Sequence, residues 1–230
     1  MNSEFFKQIS IAISKDRINA YSRDGAGELI AMSRYLWNIA VCESLYSPLQ
    51  MAEIALRNAA NRAFSEIYGP QWYDNAPLQP LNQNQIGQAK AKITRMGKSV
   101  TPSRMIEELH FGFWTSFFNR ANSKTPMAAK LLKTGFRHCP KRLRNIKLQR
   151  SRWNLIRTLR NSVFHHERII HWKDLSDGHE CLIETLGWLS PELREMAQKL
   201  DRFKDVYSEN IHPWSEKIKN HWPKEEKADE

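Results

Sequence analysis

The chain has 230 residues, 41% of them hydrophobic, with eight tryptophans and a formal net charge of +10. That length accommodates one large or two small domains with a substantial core, and the composition argues against a disordered chain. Nine glycines and the absence of any G-x-G-x-x-G or G-x-x-x-x-G-K run speak against the glycine-rich nucleotide cradles.

In chain order, the pattern predicts a first helix over 4–15. Its start, MNSEFFKQISIAISKDR, lacks the basic region, long apolar run and cleavage site of a signal peptide. A second helix is expected over 27–46. A third, PLQMAEIALRNAANRAFSEIY, follows Ser47-Pro48, an N-cap hydroxyl with proline at the first helical position, and Gln50 completes a capping box. Its apolar face is Ile54, Ala55, Leu56, Ala59, Ala63, Phe64 and Ile67, and Gly69-Pro70 ends it. Further helices are expected over 81–97, 102–118, 126–134, 141–170, 178–187 and 191–218. Three of these follow the pairs Thr101-Pro102, Thr125-Pro126 and Ser190-Pro191. Period-2 alternation is nearly absent, so strands have little support. Trp37, Trp72, Trp114, Trp153, Trp172 and Trp188 recur at helical apolar positions and read as core.

No linker divides the chain, so a single all-α domain over 1–222 is expected, with 70–100 and 119–140 as loopier insertions and 223–230, PKEEKADE, as a frayed tail. Cys42, Cys139 and Cys181 lie far apart without a C-x-x-C, the pattern of reduced thiols. No apolar run approaches the roughly 18 residues of a membrane span. The expectation is a cytoplasmic protein without membrane partners.

Charge is unevenly distributed. Between Glu108 and Glu167 there is no acidic residue, while Arg120, Lys124, Lys130, Lys133, Arg137, Lys141, Arg142, Arg144, Lys147, Arg150, Arg152, Arg157 and Arg160 all fall there. Such a run is either a solvated face or a surface that attracts a phosphate backbone.

The run leads into TLRNSVFHHERII, residues 158–170. At about 100° per residue, Leu155, Ile156, Leu159, Val163 and Ile170 share one side of a helix. Asn154, Arg157, Asn161, His165 and Arg168 share the other, while Arg160 stands roughly 140° from His165. This stripe is either the polar back of a surface helix or part of a site. His165, His166, His171 and His179 suggest a metal site, but no carboxylate or cysteine falls at a matching spacing, so no metal and no cofactor is expected.

LRNSVFHHERI resembles the Arg-x4-6-His signature of HEPN-domain proteins, here Arg160, the polar Asn161, and His165. YSPLQMAEIALRNAANRAFSEIYGPQWYD and LHFGFWTSFFNR resemble the upstream helices of the Abi-like (abortive-infection) branch, so the resemblance spans about residues 30–190. It implies a HEPN-like helical bundle with additional helices. It also implies a metal-independent endoribonuclease whose site forms between two protomers. His165 would act as general acid or base, Arg160 would stabilise the transition-state phosphate, and Asn161 would orient one of them. The product would carry a 2′,3′-cyclic phosphate.

Arg157 and Arg168, with Arg152 and Lys147, would contact the RNA backbone. Glu53 and Arg57 form either a simple helical ion pair or a support in which Glu53 positions Arg57 or a motif residue. His166 is either an indirect partner of the site or a core-edge histidine, the latter favoured by its phase beside Leu159 and Val163. RNA, a second copy of the chain, and an antitoxin or phage-derived trigger are the implied partners, in an antiphage toxin role. The alternative is a catalytically silent HEPN-like module that binds RNA or a partner protein.

Overall fold

The structure is a computed structural model that describes residues 3–223, so the tail expected at 223–230 lies, apart from its first residue, outside the described residues. Thirteen α-helices are described. They are α1 Ser3–Ile13, α2 Lys15–Asn19, α3 Glu28–Tyr68, α4 Trp72–Asn75, α5 Pro80–Arg95, α6 Pro102–Glu108 and α7 Phe111–Thr115. The second half holds α8 Pro126–Lys130, α9 Ile146–Phe164, α10 Leu175–Leu189, α11 Pro191–Leu200, α12 Phe203–Glu209 and α13 His212–His221. No strand occurs among the described residues, and the protein is all-α. No helix among them is long and apolar enough to cross a membrane.

The caps show how far local chemistry sets these helices. Thr101 accepts from the Arg104 amide at 3.4 Å, Thr125 from Ala128 at 3.2 Å and Ser190 from Leu193 at 3.1 Å, each just before a helix-opening proline. The fourth pair behaves differently. Ser47-Pro48 lies inside α3, a continuous helix of 41 residues, so the two helices expected at 27–46 and 48–68 are one. Proline removes one helical hydrogen bond and crowds the preceding turn, at about 3 kcal/mol. Here the ring is buried, and Leu45 and Leu49 beside it are fully buried, so packing outweighs the local stop signal.

Other boundaries shift as well. The stretch 102–118 breaks at Leu109 and His110, where the Trp114 indole donates to the Leu109 carbonyl at 3.1 Å. α8 runs into a π-helical turn, Leu131–Gly135. The expected helix 191–218 is three helices, and the expected 141–170 stops at Phe164.

The chain forms two compact units. The first comprises residues up to Leu45, Val163–Leu175, and the chain from Asp201 onward. Its core gathers Ile18, Tyr21, Ala31, Met32 and Ile218, flanked by Phe6, Ile9 and Ile170. The Trp37 indole donates to the Val206 carbonyl at 3.0 Å and stacks on Tyr207. The second unit comprises Tyr46–Ser162 and Ser176–Leu200. Its core is aromatic: Phe64 packs on Trp72 and Phe117, and Trp153 lies against Phe111, Phe118 and Phe136. Two of the divisions fall inside α3 and α9, so no linker composition marks them in the sequence.

The tryptophans read as core are buried at 72, 114, 153 and 188 and half-buried at 37 and 172. On α9, Ile156, Leu159 and Val163 are buried as expected, whereas Leu155 is exposed.

Candidate active site

Of the residues singled out at the motif, Glu53, Arg57, Lys147, Arg152, Arg157, Arg160 and Asn161 belong to the second unit. Arg160, near the end of α9, donates from Nε to the Glu53 carboxylate on α3 at 3.0 Å. Both side chains are about three-quarters buried, at 26% and 23% exposure. The Glu53 carboxylate thus faces the motif arginine. Charge-assisted bonds of this kind fix the guanidinium plane, which a point cation would not. Asn161 is exposed on the next position, and its side-chain oxygen lies 3.5 Å from Arg160 Nη1. Arg157 is half-buried and lies 3.5 Å from the Asn154 side chain, while Lys147 is exposed.

Arg152 has an internal role. Its guanidinium donates to Thr185 Oγ1 at 2.9 Å, to the Cys181 carbonyl at 2.9 Å and to Glu184 at 2.5 Å, and it lies 4.0 Å from the centre of the Trp188 ring. Those bonds, made by Nε and Nη2, tie α9 to α10.

His165, His166 and Arg168 belong to the first unit and lie in an irregular segment, not on a helix. α9 ends at Phe164, so the helical phase calculated for His165, Arg168 and Ile170 does not apply. His166 takes φ +58°, the left-handed conformation that closes many helices and that glycine adopts most readily. Its amide bonds back to the Val163 carbonyl at 3.2 Å. Its carbonyl accepts from Arg17 at 2.6 Å, and its side chain is exposed. The core-edge placement expected for His166 is therefore corrected: the chain turns before the imidazole can reach the apolar face. His165 is exposed too.

What holds this turn is a residue the sequence reading passed over. Asn38, only 4% exposed on α3, accepts from the amides of Ile169 at 2.8 Å and Ile170 at 3.3 Å. It also donates to the Glu167 carbonyl at 3.0 Å. One buried amide thus satisfies three backbone groups of an irregular segment. The available signal was a lone asparagine amid apolar helix residues. Arg168 joins the same bracing, donating to the Ala20 carbonyl at 2.5 Å and lying over the Tyr21 ring, so its guanidinium is partly committed within the unit.

Among the described residues, no group of three or more His, Cys, Asp or Glu side chains is arranged to hold a metal ion. The three cysteines are free thiols. Compared with protein-family models, with curated proteins and with solved structures, the chain gives no match.

Proposed function

We propose that the protein is a HEPN-like, Abi-like single-domain bundle acting as a cytoplasmic, metal-independent endoribonuclease in antiphage defence. Arg160, Asn161 and His165 form its catalytic motif. The observation that best supports this reading is the pairing of Glu53 with Arg160. It joins two of the three segments on which the resemblance rests, and it holds the motif arginine in a fixed orientation at partial exposure. Arg160 stabilises the negative charge on the transition-state phosphate. His165 exchanges a proton with the ribose 2′-hydroxyl or the 5′-oxygen leaving group, and Asn161 orients the reacting groups. Such groups contribute on the order of 10²–10⁴ in rate each. Pairing of two copies of the chain at the site is proposed on the resemblance alone. Arg157 and Lys147 remain proposed RNA contacts, Arg57 a supporting residue, and an antitoxin or phage-derived trigger a proposed partner.

The deciding experiment incubates the protein with labelled RNA in EDTA. Cleavage that survives chelation, leaves 2′,3′-cyclic phosphate ends and disappears in both Arg160→Ala and His165→Ala is the expected result. Cleavage unchanged in both variants overturns the assignment, and binding without cleavage establishes the silent RNA-binding module instead. Induced expression should arrest bacterial growth, and either substitution should relieve the arrest.

A further inference from the structure

The acid-free stretch is not uniform. Arg144 braces the Arg137 and Cys139 carbonyls, Arg150 the Phe118 carbonyl, and Lys130 the Glu66 carboxylate. With these and Arg152 committed internally, other cations of the stretch stay on the surface, and two of them converge. A cleft of about 490 Å³ in the second unit is lined by Arg62 and Glu66 of α3 and by Lys133, Thr134, Gly135 and Arg137. Arg62, Lys133 and Arg137 are exposed. Neither Arg62 nor Lys133 has an ion-pair partner among the described residues, and the one carboxylate, Glu66, is neutralised by Lys130 at 2.7 Å. Three cations therefore outnumber the anions in one concavity.

The cleft is separate from the motif arginine. On α3, Ala59, Arg62 and Glu66 lie roughly 180–240° around the helix from Glu53, on its opposite face. The wall across from α3 is the π-helical turn Leu131–Gly135, a distortion often found at functional sites. It approaches α3 so closely that a Cβ at Gly135 would come within 3.3 Å of Ala59 and 2.8 Å of Leu131.

We infer that this cleft grips the phosphate backbone of an RNA strand, in addition to the catalytic motif; the inference rests on the RNA-directed reading above. No aromatic side chain lines the cleft, so it offers no platform for stacking a base. Its cations match phosphates without reading sequence. Lys141 and Arg142 are also exposed, only four and five residues beyond Arg137, so the positive charge continues past the cleft along the chain. That suits a strand with one charge per nucleotide better than a single small anion.

The test measures binding of a fluorescent single-stranded RNA to a His165→Ala protein, which keeps the RNA uncut. Adding Arg62→Ala, Lys133→Ala and Arg137→Ala together should weaken binding at least tenfold at low salt. The slope of log affinity against log salt should fall by about 2, as expected for three lost phosphate contacts at about 0.7 each. Arg95→Ala with Lys98→Ala, exposed at and just beyond the end of α5, should leave affinity and slope nearly unchanged, and Arg62→Lys with Arg137→Lys, in place of the alanines, should restore binding. Unchanged affinity and slope in the folded triple variant, checked by its melting curve, overturns the inference. So does competition by inorganic phosphate or polyglutamate as effective as that by unlabelled RNA. RNA binding that depends on the cleft in a protein that never cleaves would overturn the nuclease reading and leave the cleft standing.

Discussion

Glu53 and Arg160, 107 residues apart in the chain, are joined by a 3.0 Å ion pair that orients the motif arginine. If Glu53 is a positioning residue, Glu53→Ala should lower RNA cleavage roughly tenfold or more, since small misplacements of a catalytic group cost up to about 10²-fold. Glu53→Gln keeps an acceptor for Nε and should recover part of that loss. Stability should fall by only about 1 kcal/mol in Glu53→Ala, read by denaturant unfolding. Cleavage unchanged in a folded Glu53→Ala protein would reduce the pair to a structural one.

Asn38 supplies a stability prediction in the first unit. Asn38→Ala removes three hydrogen bonds to the 167–170 turn in a buried setting, and should cost about 2–3 kcal/mol. Asn38→Asp keeps the acceptor oxygen but loses the donor to Glu167 and buries a charge. Its deficit relative to the wild type should widen as pH rises through the carboxyl titration. Chemical denaturation at two pH values reads both effects.

Gly135 offers a packing test. A side chain there meets Leu131, itself fully buried, and Ala59 on α3. Gly135→Ala should destabilise by about 1–3 kcal/mol through overpacking, a lowered melting temperature being the readout. A fully stable Gly135→Ala protein would mean that the turn yields easily.

Acid sensitivity has an identifiable contributor. The Arg34 guanidinium clasps both oxygens of Asp24, at 2.8 and 2.7 Å, and with the Ala26 amide holds that carboxyl down to about 2. In the unfolded chain an aspartate titrates near about 3.9. The unfolded state therefore takes up the proton first as pH falls. The contribution is complete above about pH 4 and is lost as pH descends through about 2. Asp24→Asn should flatten the melting temperature profile in that window, and an identical acid profile would refute the assignment.

The thiols should be unreactive while the protein is folded. Burial pushes Cys42 up to about 11 and raises Cys139 and Cys181 as well, suppressing the thiolate that attacks electrophiles. Iodoacetamide near neutral pH should label the three slowly in the native protein and completely after unfolding, as mass spectrometry would show. Rapid native labelling would contradict this.

The all-α class, most helix cores and three of four proline-marked starts were legible in the amino-acid sequence. Those depend on interactions within a turn or two: a hydroxyl reaching an amide three residues on, or apolar residues recurring every 3.6 positions. It also singled out Glu53 and Arg160 separately as candidates. That they pair, that α3 runs through Pro48 and that α9 stops at Phe164 follow from long-range packing. The stop is held by Asn38, 131 residues from Ile169, and by Arg17, 149 residues from His166. Neither distance leaves a periodic trace. The arginines of the acid-free stretch teach the same lesson: Arg152 and Arg137 are alike as letters. Packing against Glu184 and Trp188 commits one inward, while the other stands exposed on the cleft.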